Sequence, residues 1–473
     1  MDPIELGRTS TSESTVLLPQ MLSRHGLICG ATGTGKTVTL RYITEQLNQQ
    51  GVATLVTDLK GELSGLGAAG GNNPKVDERV QSFGLDQHYY HACPITLWGN
   101  GGLPMRTTPT ELGPDLLGRM LGLNDNQQGL LQLLFRVADQ QGLLLLDWKD
   151  IQALITEVDN NRKALQEAYG NISSASLGAI KRKYLALEQV GASTFFGEPA
   201  LEIQDLIEGG RVHLLDASKM QPAIYGILLL WLLAELYENL PESGDNALRL
   251  VVFFDEAHLL FDDLPKHLRG QVEQIVKLIR SRGVGIFFVT QNPLDLPEDI
   301  LAQLGNRIQH ALRAYTPNER RAVRAAANSF RENPDIDTAT AIGELAVGEA
   351  LVSCLNDEGV PQPVSRVLIH PPASRLTPLS DDERNALAAL SPLTAKYADT
   401  LDRESAYEQL QQRRAAQATS GQGNMQQTPQ KNQKRTTASG LEKTFDRMAT
   451  SFGRQVGKEL MRGILGALSG RRK

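Results

Sequence analysis

Eight consecutive residues, Gly30-Ala31-Thr32-Gly33-Thr34-Gly35-Lys36-Thr37, satisfy the pattern G-x-x-x-x-G-K-[ST] at every fixed position. That spacing suits the cradling of a phosphate chain. Glycines let backbone N–H groups turn inward at a helix N-terminus, where unpaired donors and partial positive charge favour an anion. Lys36 then reaches the β- and γ-phosphates. The Thr37 hydroxyl is placed for Mg2+, which keeps several waters and takes few protein ligands. The candidate nucleotide-binding set is Gly30, Ala31, Thr32, Gly33, Thr34, Gly35, Lys36 and Thr37, with Thr39 included beside them. ATP and Mg2+ are the expected ligands.

A second group of polar residues stands at the ends of apolar runs. Leu250–Phe254 has the continuous apolar character of a strand buried on both faces, and it stops at Asp255-Glu256. Read as a Walker B segment, it gives Asp255 as a Mg2+ ligand through water and Glu256 as the group that polarises the attacking water. With the cradle, the two acids favour ATP hydrolysis over nucleotide binding alone. Gln291 follows the apolar run Val284–Thr290 and can sense the γ-phosphate or orient water, unless it only caps the turn before Asn292-Pro293. Arg307 and Arg313 lie in an alternating stretch and could stabilise charge on ATP held by an adjacent subunit, or be surface charges. Asp58 and Lys60, just past the run Val52–Thr57, are further candidates for ordering the nucleotide's surroundings, against a solvated turn closed by Gly61. His88, His91 and Cys93 lack further ligands at ordinary zinc spacing; they are expected to pack beside Ile95–Trp98, and no structural metal is expected.

The elements that position these residues are legible in outline. Strand-like runs alternate with helical stretches, so the fold class is α/β: a mainly parallel sheet flanked by helices, with an inserted helical subdomain and a C-terminal helical tail. Residues 1–109 and 206–375 are read as two parts of the core, and 110–205 as the insertion. Phe195-Phe196-Gly197-Glu198-Pro199 closes the insertion with aromatics that look exposed and available to a polymer or a neighbouring subunit; helix packing is the alternative. Arg320, Arg321, Arg324 and Arg331 are expected on a solvated helix face. Pro361, Pro363, Pro371, Pro372 and Pro378 give residues 361–380 the composition of a linker, near which the globular core should end. A helical extension (376–418), a disordered linker (419–440) and a basic amphipathic helix (441–473) follow.

Charge and cysteine content narrow the setting. The 473 residues carry a net charge of −6, so any basic binding surface must be local. Residues 420–473 hold 11 Lys and Arg against 3 Asp and Glu, and that tail could meet a protein partner, an anionic membrane surface or nucleic acid, or dock on its own protein. Three widely spaced cysteines without a CxxC pair, and a start without a basic-then-apolar leader, point to a reducing, cytoplasmic location. The longest apolar run, Ile227–Ala234, falls far short of the ~20 residues of a membrane span.

Taken together, the cradle, the Asp58–Glu62 turn, Asp255-Glu256-Ala257-His258, Thr290-Gln291-Asn292-Pro293 and the arginine-bearing stretch resemble the HerA-like branch of the HerA/FtsK ATPases. Phe195–Pro199 and Asp402-Arg403-Glu404-Ser405-Ala406-Tyr407 are similar to bacterial HerA-like proteins once classed as a domain of unknown function, and the likeness reaches about residue 410. The resemblance implies a RecA-like core, a homo-hexameric ring and, as in better-studied relatives, movement along double-stranded DNA. It gives Lys36, Thr37, Asp255, Glu256 and Gln291 their roles at matching positions, and an arginine finger to Arg313 or Arg307. The roughly 24 residues before the cradle are fewer than the N-terminal β-barrel of HerA proper would need. A protein or membrane-associated client, or a nucleotide-gated scaffold with slow hydrolysis, are the alternative readings.

Overall fold

The computed structural model describes residues 1–189, 191–243, 247–261 and 266–422. Eleven strands form one sheet: β1 (Ile4–Arg8), β2 (Ser14–Leu17), β3 (Gly26–Cys29), β4 (Ala53–Asp58), β5 (Ile95–Gly99), β6 (Val212–Asp216), β7 (Leu250–Phe254), β8 (Val284–Thr290), β9 (Asn306–Gln309), β10 (Glu349–Ser353) and β11 (Ser365–Ile369). Their order is β2-β1-β11-β10-β9-β3-β8-β7-β4-β6-β5. From β9 to β5 every pairing is parallel, whereas β10, β11, β1 and β2 extend the sheet antiparallel. The parallel strands therefore end along one edge. On that edge the loop after β3 stands between those after β8 and β9, with the turns after β7 and β4 next in line. Ligands of open α/β sheets bind at such carboxyl ends.

Both faces of the parallel sheet are buried, which explains the unbroken apolar run of β7. Alternate residues serve opposite layers: Val252 and Phe254 belong to one cluster, Val251 and Phe253 to the other. The first helix, α1 (Lys36–Gln49), covers the second face with Leu40, Ile43 and Leu47. A short helix α2 (Pro74–Ser82) precedes β5. Between β5 and β6 come α3 (Pro109–Met120), α4 (Asp125–Gln141), α5 (Trp148–Asn160), α6 (Arg162–Tyr169) and α7 (Ser174–Gln189). Their buried residues, among them Leu134, Leu154 and Tyr184, join one cluster with the sheet and with α8 (Pro222–Asn239), so the insertion shares its core with the rest. The remaining helices are α9 (His258–Phe261), α10 (Lys266–Ile279), α11 (Glu298–Leu301), α12 (Pro317–Asn328), α13 (Thr338–Glu344), α14 (Asp381–Leu390), α15 (Thr394–Tyr397) and α16 (Ala406–Gln422). Among the described residues no helix is long and apolar enough to cross a membrane.

The structure departs from the sequence reading in four places. Phe195 and Phe196 are buried, not exposed: Phe196 stacks on Trp148 at 5.2 Å and Phe195 meets Trp231 edge-on at 5.6 Å. The proline-rich stretch is not a linker. Its prolines only bracket β11, which pairs with both β10 and β1, and Ala373 and Ser374 beyond it donate backbone N–H groups to Glu45 of α1 at 2.8 and 3.0 Å. The strand holding Arg307 stops at Gln309, leaving Arg313 in the following loop. Residues 419–422 continue α16. The remainder of the linker, 423–440, and the basic helix expected over 441–473 lie outside the described residues.

Candidate active site

The cradle follows β3, and its conformation is one that side chains resist. Gly35 sits at φ 120°, where a Cβ would lie 3.2 Å from Gly348 Cα. A Cβ on Gly30 would come within 2.6 Å of His310 Cβ. Neighbouring strand ends hold the loop: Gly30 N–H donates to Thr290 O, Ala31 N–H to Ala311 O at 2.8 Å, and Gly348 N–H to Thr34 O at 3.0 Å. The Lys36 ammonium is buried against the loop's own carbonyls, 2.6 Å from Gly30 O and 3.1 Å from Ala31 O. Burial pulls it below its ordinary range, and the Glu256 and Asp255 carboxylates oppose that shift. Thr37 is half-buried at the second residue of α1.

Thr39 lies elsewhere. Its hydroxyl is fully buried and bonds His310 Nε2 at 2.8 Å, while His310 Nδ1 meets Glu349 O at 2.8 Å. It therefore braces the cradle from behind instead of lining it. His310, the first residue past β9, was not singled out from the sequence. A lone histidine after a short alternating strand carries no signal until the fold brings β9 beside β3.

Glu256, directly after the Asp255 that follows β7, is the meeting point of the edge. It is 5 % exposed and adopts φ 49°, a left-handed conformation costly for a side chain. One carboxylate oxygen, Oε1, lies 2.5 Å from Lys60 Nζ and 3.3 Å from Gln291 Nε2; the other, Oε2, is 3.5 Å from His258 Nδ1. Gln291 in turn accepts from the Thr32 hydroxyl at 3.1 Å, so cradle, amide, carboxylate and lysine form one chain of contacts. Burial raises the Glu256 carboxyl, but the hydrogen bond and charge of Lys60, with His258 and Gln291, hold it below its ordinary range. Asp255 is pushed up to about 7 by burial first and by the Glu256 and Asp58 carboxylates next. Its backbone is fixed by Tyr225, whose hydroxyl donates to Asp255 O at 2.8 Å.

The second-rank candidates separate in role. Asp58 does not face the cradle: it accepts from the backbone N–H groups of Lys60, Gly61 and Leu63 at 3.1, 2.8 and 2.7 Å, shaping the turn that carries Lys60. Arg307 is half-buried with its guanidinium on Leu301 O at 2.9 Å and Leu304 O at 3.2 Å, a geometry that braces its own chain. Arg313 is exposed, donating to Gly343 O at 3.1 Å, and Arg320, Arg321, Arg324 and Arg331 are exposed as well. His88, His91 and Cys93 join no group of three or more metal-ligating side chains among the described residues.

These residues fit a nucleotide's phosphates and a divalent cation. Gly30 and Gly35 let the loop pack against His310 and Gly348 at the N-terminus of α1, Lys36 is held inward against that loop, and Asp255 is a carboxylate whose like-charged neighbours a cation would offset. A mainly parallel sheet with this cradle after a central strand, acids after β7 and an amide after β8 is the arrangement of a RecA-like P-loop fold. A profile of the Helicase HerA-like C-terminal family matches residues 4–473, past the ~410 limit of the sequence likeness, and the chain belongs to that family.

Two relatives are DNA double-strand break repair helicases HerA. That of Sulfurisphaera tokodaii is 24% identical over 371 residues, covering 74% of this chain and 66% of the relative. That of Sulfolobus acidocaldarius is 23% identical over 352 residues, covering 70% and 62%. The chain thus spans just under two thirds of their lengths. Among solved structures, the plasmid coupling protein TrwB in complex with a non-hydrolysable ATP analogue superposes with a TM-score of 0.53 at 13% identity, over 80% of this chain and 93% of that one. VirB4 of Thermoanaerobacter pseudethanolicus gives 0.50 at 16%, over 78% and 96%. At these identities the likeness is one of fold.

Proposed function

We propose that this protein is a DNA-directed motor that hydrolyses ATP at the β3–β8 edge, working as a homo-hexameric ring on double-stranded DNA. Backbone N–H groups of Gly30–Gly35 and the Lys36 ammonium bind the phosphates. Thr37 and Asp255 hold Mg2+, which when bound offsets charge on the β- and γ-phosphates. Glu256 takes the proton of the attacking water, and Gln291, between Thr32 and Glu256, reports whether the γ-phosphate is present. Arg313, exposed beyond β9, serves the nucleotide of an adjacent copy.

The observation that carries this reading is the continuous contact from Thr32 through Gln291 to the buried Glu256 carboxylate. A scaffold that only binds nucleotide has no need to tie a carboxylate in an unfavourable backbone conformation to the phosphate loop. The DNA client is supported by the names of the HerA relatives. Three buried free cysteines are compatible with a reducing, cytoplasmic setting. The test is steady-state ATP hydrolysis with duplex DNA, single-stranded DNA, RNA or no polymer. Stimulation by duplex that falls steeply with salt is expected; hydrolysis indifferent to every nucleic acid would reject DNA as the client.

A further inference from the structure

We propose that Lys60 is a positioning residue for the hydrolytic carboxylate, fixing Glu256 from the solvent side and tying it to the cradle helix; this rests on reading Glu256 as the base. The turn that presents Lys60 is held from three directions. Asp58 gathers the N–H groups of Lys60, Gly61 and Leu63 onto its carboxylate. Arg41, buried on α1, donates to Glu62 O and also, at 2.8 Å, to Arg375 O. Gly61, at φ 73°, presses against the loop after β6, where a Cβ would lie 3.2 Å from Ser218 Cβ. From this fixed turn the Lys60 side chain crosses in front of β7 to meet Glu256 Oε1 at 2.5 Å.

The pairing is asymmetric in a way that distinguishes it from an ordinary surface ion pair. The Lys60 side chain is 40% exposed and the Glu256 side chain 7%. Exposed pairs contribute little stability, so holding a long flexible lysine here is better explained by what it does to its partner. The Glu256 backbone is in a left-handed conformation, and the aim of its carboxylate depends on the side-chain contacts around it. Lys60 and Gln291 share Oε1, one anchored through the turn and Arg41 to α1, the other through Thr32 to the loop that begins α1. The contacts form a closed circuit. A shift of the cradle around a phosphate chain reaches the carboxylate from both ends, so chemistry and nucleotide occupancy are coupled through Lys60.

The test uses Lys60→Met and Lys60→Arg in the full chain, with Glu256→Gln as reference. Reactive groups misplaced by about 1 Å cost on the order of 10²-fold in rate. Lys60→Met is therefore expected to lower kcat by about that factor while KM for ATP and the affinity for a fluorescent ADP analogue stay near wild type, and Lys60→Arg should recover much of the loss. Wild-type kcat in Lys60→Met alongside an inactive Glu256→Gln would overturn the positioning role and leave the base reading intact. A loss residing in nucleotide affinity would make Lys60 a binding residue instead, which also overturns it. Undiminished turnover in Glu256→Gln would remove the base reading and the proposal with it.

Discussion

Arg384 offers a test of how deeply the segment beyond the proline-rich stretch is built into the fold. It lies on α14, is 7% exposed, and sets its guanidinium 2.5 Å from the Asp216 carboxylate at the end of β6, itself 2% exposed. The same guanidinium donates to Asn100 O at 3.0 Å and to the Ser64 hydroxyl at 3.2 Å. Without it, Asp216 keeps the Ser218 N–H at 2.9 Å and the Ser218 hydroxyl, but no cation. Asp216 also pairs in register with Asp58, whose carboxyl burial raises and Asp216 raises further. Arg384→Met therefore strands a buried carboxylate beside another. Breaking one side of a buried ion pair costs about 3–5 kcal/mol, a large share of the ~5–15 kcal/mol that holds a typical domain folded. Urea denaturation followed by circular dichroism should show the extrapolated stability fall by that amount and the midpoint fall by that amount divided by the slope, with the slope unchanged. Asp216→Asn in the same chain should restore much of it, because the stranded charge is gone. Arg384→Met within about 1 kcal/mol of wild type, far below the 3–5 kcal/mol of a broken buried pair, or a double variant no better than the single, would refute the reasoning.

Other expectations follow from the buried polar groups. Thr39→Val leaves His310 Nε2 without a partner in a dry site, so stability should drop by about 1–3 kcal/mol while ATP affinity holds; lost ATP binding with unaltered stability would return Thr39 to the nucleotide site. Acid should destabilise the protein through histidines held neutral. His25, His213 and His310 are buried, and burial lowers them to about 4, about 3 and about 4. One ring nitrogen of each faces a donor, from Ile286 N, Trp98 Nε1 and Thr39 Oγ1 respectively. Because the folded values lie below the unfolded ~6.5, the unfolded chain takes up protons first as pH falls. Stability is complete above pH ~6.5 and declines below it, by up to about 1.4 kcal/mol per pH unit for each histidine down to its folded value. Denaturation midpoints that stay flat between pH 6.5 and 4.5 would contradict this.

The parallel half of the sheet was legible where strands buried on both faces are apolar nearly throughout, and β7 and β8 match their predicted runs residue for residue. The cradle was legible because its motif is local: eight consecutive residues carry the whole pattern. What the sequence hid depends on contacts between distant segments. β1 was not predicted, and β11 was read as linker because prolines stand on either side of it; both are strands by virtue of pairing with each other. Phe195 and Phe196 were read as exposed because their cover, Trp148 and Trp231, comes from α5 and α8. Lys60 and Asp58 looked equivalent in sequence. Only the position of β4 beside β7 shows that one shapes the turn and the other reaches Glu256.

The division of labour between phosphate binding and water activation is the central claim, and paired measurements on Lys36→Ala and Glu256→Gln test it most directly. Equilibrium binding of a fluorescent ATP analogue and single-turnover hydrolysis should dissociate. Lys36→Ala is expected to lose binding and therefore hydrolysis, whereas Glu256→Gln should bind as tightly as wild type or tighter and not turn over. Hydrolysis by Glu256→Gln at the wild-type rate, or a loss of binding equal to that of Lys36→Ala, would contradict the account.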